Sequence, residues 1–216
     1  LLSLKDSDLE SFAENLQKPR RPGESVEIVD SLSDRQIAIL AVNRHIKKGL
    51  EVSSRLARNY PFAELAAHAV GSVRRITQND LRTLDKTRYR GTRFVGRRGV
   101  EAFYEDHLLG QVGFQTIETD AHGRIKKVID KNQAVGGEDL HMYLDVDLQV
   151  AAYNALGDFR GAVVAIEPET GGILAMVSKP GYNPNAFVTG FSEMEFEEIK
   201  NSVSKPFFNR AAEGQY

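Results

Sequence analysis

The sequence predicts an α+β fold in two parts, and three observations lead to this prediction. Apolar residues recur at helical spacing in several short segments before residue 110. From Phe114 onward the pattern changes to short strands separated by turns that contain glycine. Gly161–Val177 is then an almost entirely apolar hairpin. Because two strands alone rarely form a stable sheet, this hairpin predicts the beginning of a second domain, with a boundary near residue 138.

Short helices are predicted mainly in the first part. Ser33 begins a capping box, since its hydroxyl can accept from the amide of Gln36 while the Gln36 side chain reaches back. Gly49 is the expected C-cap of that helix, and Gly71 and Gly110 are expected to end two others. The predicted helices are 4–16, 34–46, 63–70, 77–84, 99–109, 148–156 (with Asp147 as N-cap) and 193–200.

Strands are predicted wherever β-branched and apolar residues stand between turn signals. Both strands of the Gly161–Val177 hairpin are nearly all apolar, which predicts a sheet buried on both faces. A turn at 120–123 is expected to join two of the other strands. The predicted strands are 26–29, 114–119, 124–130, 140–144, 161–166 and 173–177.

Composition and spacing exclude several classes of protein. The 216 residues contain 0 Cys, which excludes disulfide scaffolds, Cys-based zinc sites and thiol nucleophiles. The sequence has neither a P-loop nor a dinucleotide fingerprint. His141, Asp145 and Asp147 could form a metal site, but a strand end followed by a helix N-cap explains the two aspartates more simply. We therefore predict no metal and no cofactor.

The string Ser202-Val203-Ser204-Lys205 has the S-x-x-K spacing of serine acyltransferases. That chemistry needs Ser and Lys one helical turn apart, so that the amine can take the hydroxyl proton. Pro206 follows Lys205 directly and disfavours a helical conformation there. We interpret the string as a chance match and predict no catalytic residue in the chain.

A basic segment, Arg74–Arg98, holds 9 Lys or Arg and 2 Asp residues. Such a stripe, interleaved with aromatic residues, could bind the phosphates of nucleic acid, which would make the chain a stand-alone binding module. A solvated face with internal Arg–carboxylate pairs is the simpler interpretation, because the net charge of the chain is only -2.

Two strings carry a family resemblance. The first is Arg58-Asn59-Tyr60-Pro61 with His68 and Gly71 downstream, and the second runs from Gly96 through Glu105 to Gly110. Both resemble motifs of the class B penicillin-binding proteins, most of all the elongation transpeptidases of rod-shaped Gram-negative bacteria. The strings 170–178 and 209–211 extend the resemblance. The motif residues are Arg58, Tyr60, Pro61, His68, Gly71, Gly96, Arg97, Gly99, Glu101, Tyr104, Glu105 and Gly110.

The resemblance implies an elongated, irregular pedestal, also called the dimerisation domain, over residues 1–138. Residues 139–216 would be the incomplete N-terminal part of a β-lactamase-like transpeptidase domain. In this family the acylated serine follows a string that resembles 209–216, so we expect it beyond Tyr216. The chain itself is then expected to be inactive and not to bind penicillin.

The resemblance also implies partners and a location. The full-length protein would be periplasmic, anchored to the inner membrane, cross-linking stem peptides and acylated by β-lactams. Its pedestal would contact a SEDS-family membrane glycosyltransferase and a rod-shape scaffold protein, with a homodimer left open and no nucleic acid bound. Within the pedestal we expect a buried network of Arg97, Glu101, Tyr104 and Glu105 that locks the hinge to the catalytic domain, so that Glu101→Ala destabilises the fold.

Overall fold

Short helices and three two-stranded sheets make up the described part of the chain. The computed structural model describes Leu4 and residues 6–17, 25–43, 45, 49–89, 91–120, 125–191 and 193–215. Contacts divide the chain into two units, Leu1–Leu56 with Gln115–Lys131 and Ala57–Phe114 with Asn132–Tyr216. Among the described residues, no helix combines the length and apolar character that crossing a bilayer requires.

In the first unit, α1 (Asp6–Gln17) and α2 (Asp34–Val42) confirm two predicted helices. The capping box at Ser33 is present: the Gln36 amide donates to Ser33 Oγ at 3.3 Å, and the Ser33 amide donates to Gln36 Oε1 at 2.9 Å. The prediction of Gly49 as C-cap is wrong. Asn43 ends α2, because both its backbone and its side-chain amide donate to Ile39 O.

The strands predicted for this unit have different outcomes. β3 (Phe114–Thr119) pairs with β4 (Ile125–Asn132), as predicted. Residues 26–29 are not a strand, because no described segment pairs with them. Most of the predicted turn at 120–123 and the end of the predicted 34–46 helix lie outside the described residues.

The second unit begins with two short helical turns, at Ala63–Leu65 (3₁₀) and α3 (Ala67–Val70), which Gly71 ends as predicted. An antiparallel pair follows that the sequence did not predict, β1 (Ser72–Arg75) and β2 (Phe94–Arg98). Val73 and Val95 are buried in it, while Arg74 and Arg75 are exposed. The run of basic residues concealed this strand, since only one of its four residues is apolar.

The predicted helix 99–109 is two helices, α4 (Gly99–Phe103) and α5 (Glu105–Leu108). Tyr104 separates them because its backbone, at φ -103° and ψ 21°, lies outside the helical region. Gly110 follows α5 with φ +65°. Within 77–84, only Asp80–Arg82 is helical, as a 3₁₀ turn.

The rest of the second unit contains α6 (Val146–Ala155), the hairpin β5 (Gly161–Ile166) and β6 (Ile173–Lys179), and three further helices. The predicted strand 140–144 is irregular, because no described strand pairs with it. Asp145, not Asp147, is the N-cap of α6, because Asp145 Oδ1 accepts from the Leu148 amide at 2.9 Å. The three further helices are α7 (Asn185–Thr189), α8 (Glu193–Asn201) and α9 (Arg210–Glu213).

The apolar hairpin is only partly buried. Ala175 and Val177 of β6 are 0% and 1% exposed, whereas Val164, Ile166 and Ile173 are 41–56% exposed. The prediction of two buried faces is therefore wrong for the described residues, in which no other strand joins β5 and β6. The β5–β6 pairing itself is confirmed.

Two groups of side chains form the interior of the second unit. Tyr60, Val73 and Val188 form a buried cluster against which Val70 and Phe94 pack. A second group is aromatic, with neighbouring ring centroids 4.8–6.1 Å apart and mostly edge-to-face, which is the preferred geometry. Its members are His68, Tyr182, Phe187, Phe191, Phe196 and Phe207.

Candidate functional site

The first motif and the second motif meet at the carboxylate of Glu101, which is 5% exposed. Arg58 Nε lies 3.0 Å from Glu101 Oε1, and the Tyr60 hydroxyl donates to the same oxygen at 3.1 Å. The Val73 amide in turn donates to the Tyr60 hydroxyl at 3.0 Å. A charged carboxylate is tolerated in the interior only when it is paired in this way. The three motif residues therefore form one connected hydrogen-bonded cluster.

Burial of Tyr60 raises the pKa of its hydroxyl well above the usual value, and the neighbouring Glu101 carboxylate raises it further. The phenol therefore stays protonated and remains a hydrogen-bond donor at any physiological pH. No donor from the described residues reaches Glu101 Oε2, although that oxygen is buried. Glu101 Oε1 is therefore the acceptor for both the Arg58 guanidinium and the Tyr60 hydroxyl.

The expected buried network of Arg97, Glu101, Tyr104 and Glu105 is wrong. Of these four residues only Glu101 is buried, and its carboxylate bonds to Arg58 and Tyr60 instead. Arg97 pairs with Asp80 rather than with Glu101. Hydrogen bonds from Arg97 and then from Thr77 hold the pKa of the Asp80 carboxyl well below its usual range. Arg97 lies at the exposed end of β2, and its guanidinium reaches the carboxylate of Asp80, which is itself buried.

Tyr104 and Glu105 also differ from that expectation. Tyr104 is 39% exposed, and its ring packs edge-on against Phe103. Glu105 Oε2 accepts from the Gly96 amide at 2.9 Å, and Glu105 Oε1 accepts from the Tyr89 hydroxyl at 3.2 Å. Burial, followed by the charge of Glu105, raises the pKa of Tyr89 to about 12. Glu105 therefore fixes β2 at Gly96 and does not belong to the Glu101 network.

Gly71 and Gly99 let two backbones approach closely where α3 meets the start of α4. A Cβ on Gly71 would lie 1.7 Å from Arg98 O, and one on Gly99 would lie 2.5 Å from Ala69 O. Both residues have positive φ, +86° and +59°, which side chains rarely adopt. Glycine is thus required at both motif positions by space as well as by conformation.

The first motif also makes polar contacts with later segments of the same unit. The side chain of Asn185 accepts from the Tyr60 amide at 2.8 Å and donates to Tyr60 O at 2.9 Å, at the turn that includes Pro61. Gln149, which is 4% exposed, donates to Leu65 O at 2.6 Å and to Met176 O at 2.9 Å. Its Oε1 accepts from the Met176 amide at 2.8 Å. Through Gln149, this edge of β6 is bonded to the motif segment.

Sequence reasoning missed Asn185, Gln149 and Asp80. Asn185 follows the turn-forming residues Asn183 and Pro184, and Gln149 lies on a helix whose polar residues are ordinarily solvated. A Gln among the apolar residues of α6 was the one available signal, since a buried amide must find partners.

A cavity of about 620 Å³ is lined by residues of α3, α4 and α9. His68, Arg98, Phe103, Tyr104 and Glu213 are among the residues that line it. Burial lowers the pKa of His68 below its usual value, so its imidazole is neutral at pH 7. Because a carbonyl oxygen can only accept, Nε2 of His68 carries the proton and donates it to Pro206 O at 3.0 Å.

The three alternative sites from the sequence gain no support in the described residues. Ser202 lies after the end of α8, and Lys205 has φ +47°, so they do not lie one turn apart on a helix. His141, Asp145 and Asp147 do not cluster, and the described part of the chain contains no group of residues able to hold a metal ion. In the basic segment, Arg88 and Arg97 pair with Asp106 and Asp80.

Comparison with known proteins identifies the family. The sequence model of the penicillin-binding protein dimerisation domain matches residues 1–142, and that of the penicillin-binding protein transpeptidase domain matches residues 161–216. Over 216 residues the chain is 38% identical to a protein of Acinetobacter baumannii named peptidoglycan D,D-transpeptidase MrdA, and over 220 residues it is 33% identical to MrdA of Escherichia coli K12. Both alignments cover 100% of this chain but only 32% and 35% of those proteins.

Solved structures agree with these matches. PBP2 of Pseudomonas aeruginosa, in complex with WCK 5153, is 41% identical with a TM-score of 0.64, over 76% of this chain and 32% of that one. PBP2 of Helicobacter pylori, in complex with MreC, is 25% identical with a TM-score of 0.77, over 96% of this chain and 42% of that one. The chain therefore belongs to the penicillin-binding protein family, and it comprises a dimerisation domain and the start of a transpeptidase domain.

Proposed function

We propose that this chain is the pedestal and the first part of the catalytic domain of a longer peptidoglycan D,D-transpeptidase that cross-links stem peptides during cell-wall elongation. The observation that carries the proposal is the alignment of the entire chain with about a third of proteins named for that activity. The nucleophile would belong to the remaining part of the protein.

The role that we propose for the chain itself is structural. The motif residues Arg58, Tyr60 and Glu101 are buried or bonded to one another, and none faces a nucleophile–base pair. Contacts such as Tyr60 with Asn185 and Leu65 with Gln149 support a pedestal segment that holds the hairpin β5–β6 in place. We place the domain boundary near residue 138, shortly before residue 142, where the match to the dimerisation domain ends.

The proposed partners and location follow from the family. The solved complex of Helicobacter pylori PBP2 with MreC supports a rod-shape scaffold protein as a partner of the whole protein, and we propose that the pedestal makes this contact. Three further proposals rest on the family resemblance. They are binding to a SEDS-family glycosyltransferase, anchoring to the inner membrane with the rest of the protein in the periplasm, and a homodimer.

A fluorescent β-lactam tests the proposal. We expect stoichiometric covalent labelling of the whole protein that carries this sequence, blocked by excess unlabelled penicillin, and no labelling of the 216-residue chain. A folded whole protein that stays unlabelled would refute the transpeptidase activity. Labelling of the 216-residue chain at Ser202 would instead show that the S-x-x-K string is catalytic.

A further inference from the structure

The segment between α8 and α9 adopts a backbone conformation that needs external support. Lys205 has φ +47°, a left-handed conformation that a residue with a side chain rarely takes, and Pro206 follows it. Such conformations persist only where surrounding contacts hold them, and they concentrate near functional sites. The contacts that hold residues 204–209, which we call the turn, are therefore informative.

Side-chain donors satisfy three carbonyls of the turn. Arg210 Nη2 donates to Ser204 O at 2.5 Å, His68 Nε2 donates to Pro206 O at 3.0 Å, and Arg98 Nη1 donates to Phe207 O at 2.5 Å. Arg210 belongs to α9, but His68 and Arg98 come from the motif-bearing segment more than a hundred residues earlier. Of these two, His68 is the buried one, at 8% exposed.

His68 also reaches α9 by a second route. Its backbone oxygen accepts from Asn209 Nδ2 at 3.5 Å. Asn209 is the N-cap of α9, and its Oδ1 accepts from the amides of Ala211 and Ala212 at 3.1 and 3.2 Å. One residue of the first motif is thus bonded to both the turn and the cap of the helix that follows it.

We propose that His68 is a positioning residue that transmits the placement of the pedestal segment to the turn and to α9. The consequence of this placement rests on the proposed function, in which the chain after α9 leads to the acylated serine. In that case the orientation of α9 sets the position of the nucleophile. His68 acts on Pro206 through its side chain and on Asn209 through its backbone oxygen.

The test compares four variants by amide hydrogen exchange in the 216-residue chain and in the whole protein. His68→Ala removes the donor to Pro206 O, and His68→Asn keeps an amide that is too short to reach it. His68→Gln restores a donor of suitable length. Tyr182→Phe is the matched control, because it deletes a buried hydroxyl that donates to Ala67 O at 3.3 Å, in the same aromatic group but not bonded to the turn.

We expect His68→Ala and His68→Asn to raise exchange at the Ala212 and Glu213 amides by about tenfold while β5–β6 stays protected. His68→Gln should recover to within about threefold of wild type, and Tyr182→Phe should leave these amides unchanged. In the whole protein, His68→Asn should lower the rate constant of β-lactam acylation by about tenfold with little change in the preceding binding constant.

Each outcome decides a separate point. Unchanged exchange in both His68→Asn and His68→Ala would overturn the proposal, and unfolding of the alanine variant leaves the Asn and Gln pair to decide it. Altered exchange with unaltered acylation would show that α9 is positioned by His68 but does not place the nucleophile. A wild-type protein that is never acylated would refute the proposed function alone, since the exchange result stands without it.

Discussion

The two units of the chain differ sharply in burial. In the unit formed by Leu1–Leu56 and Gln115–Lys131, no residue whose exposure is described is buried, whereas every residue described as buried lies in the unit formed by Ala57–Phe114 and Asn132–Tyr216. All twelve motif residues named from the sequence also lie in the second unit. The motifs therefore mark the part of the chain whose side chains are constrained by packing.

Two arginines three positions apart show what this difference means in energy. Arg55 pairs with Glu27 at 3.1 Å in the first unit, and Arg58 pairs with Glu101 at 3.0 Å in the second. The distances are alike, but the carboxylate side chains are 27% and 6% exposed. Water screens the first pair, so its loss costs little, whereas loss of the second leaves the buried Glu101 charge with only the Tyr60 hydroxyl as a partner.

The largest effect is expected from Gly71→Ala. The new Cβ would lie 1.7 Å from Arg98 O, so α3 and β2 must separate, and we expect a loss of about 3 kcal/mol or more in unfolding free energy by chemical denaturation. Gly49→Ala in the first unit is the matched control. Gly49 has a similar φ of +91° but nothing within 4 Å, so its replacement should cost only about 1–2 kcal/mol. Equal costs would contradict the close approach.

Glu101→Ala should have the next largest effect. It leaves the buried Tyr60 hydroxyl and the Arg58 guanidinium without their shared acceptor. We expect a loss of about 2–3 kcal/mol, at the low end for buried pairs because the Arg58 side chain is 41% exposed. Thermal melting measures it, with Glu118→Ala on the exposed strand β3 as control. An unchanged melting temperature in Glu101→Ala would refute the structural role of this carboxylate.

Asp80→Asn tests the second unit through the pH dependence of its melting temperature. Because hydrogen bonds lower the pKa of Asp80 in the folded state, its contribution to stability is complete above the unfolded value of about 4 and is lost as pH falls through the lower folded value. We expect the wild-type melting temperature to fall below pH 4 more steeply than that of Asp80→Asn. Parallel curves would show that the pair with Arg97 has no energetic weight.

Arg55→Ala should have the smallest effect. Its pair with Glu27 is largely solvent-exposed, so we expect a change below about 0.5 kcal/mol in the free energy of unfolding. Arg58→Ala, measured alongside, should be clearly more destabilising. If both arginine variants lost the same free energy of unfolding, burial of the carboxylate would not explain a difference between the two units.

Much of the fold could be predicted because its signals are local. The capping box at Ser33, the glycine that ends α3 and the hairpin around residues 167–172 each depend on residues a few positions apart. The β1–β2 pair escaped prediction, since its strands are separated by a long connection and are rich in arginine. The sequence correctly predicted that Arg97 pairs with a carboxylate, but the partner is Asp80 and not the expected Glu101.

The sequence by itself determined the family, the two-part α+β organisation and the motif residues, including a glycine at 71 and a carboxylate at 101. Only the tertiary structure decided that Glu101 meets Arg58 and Tyr60, that Gly71 lies against Arg98, and that His68 bonds to Pro206. Backbone propensity and capping act within a turn or two of chain, so sequence patterns reveal them. The partner of a long polar side chain is set by which distant segments pack together, and that information is not local.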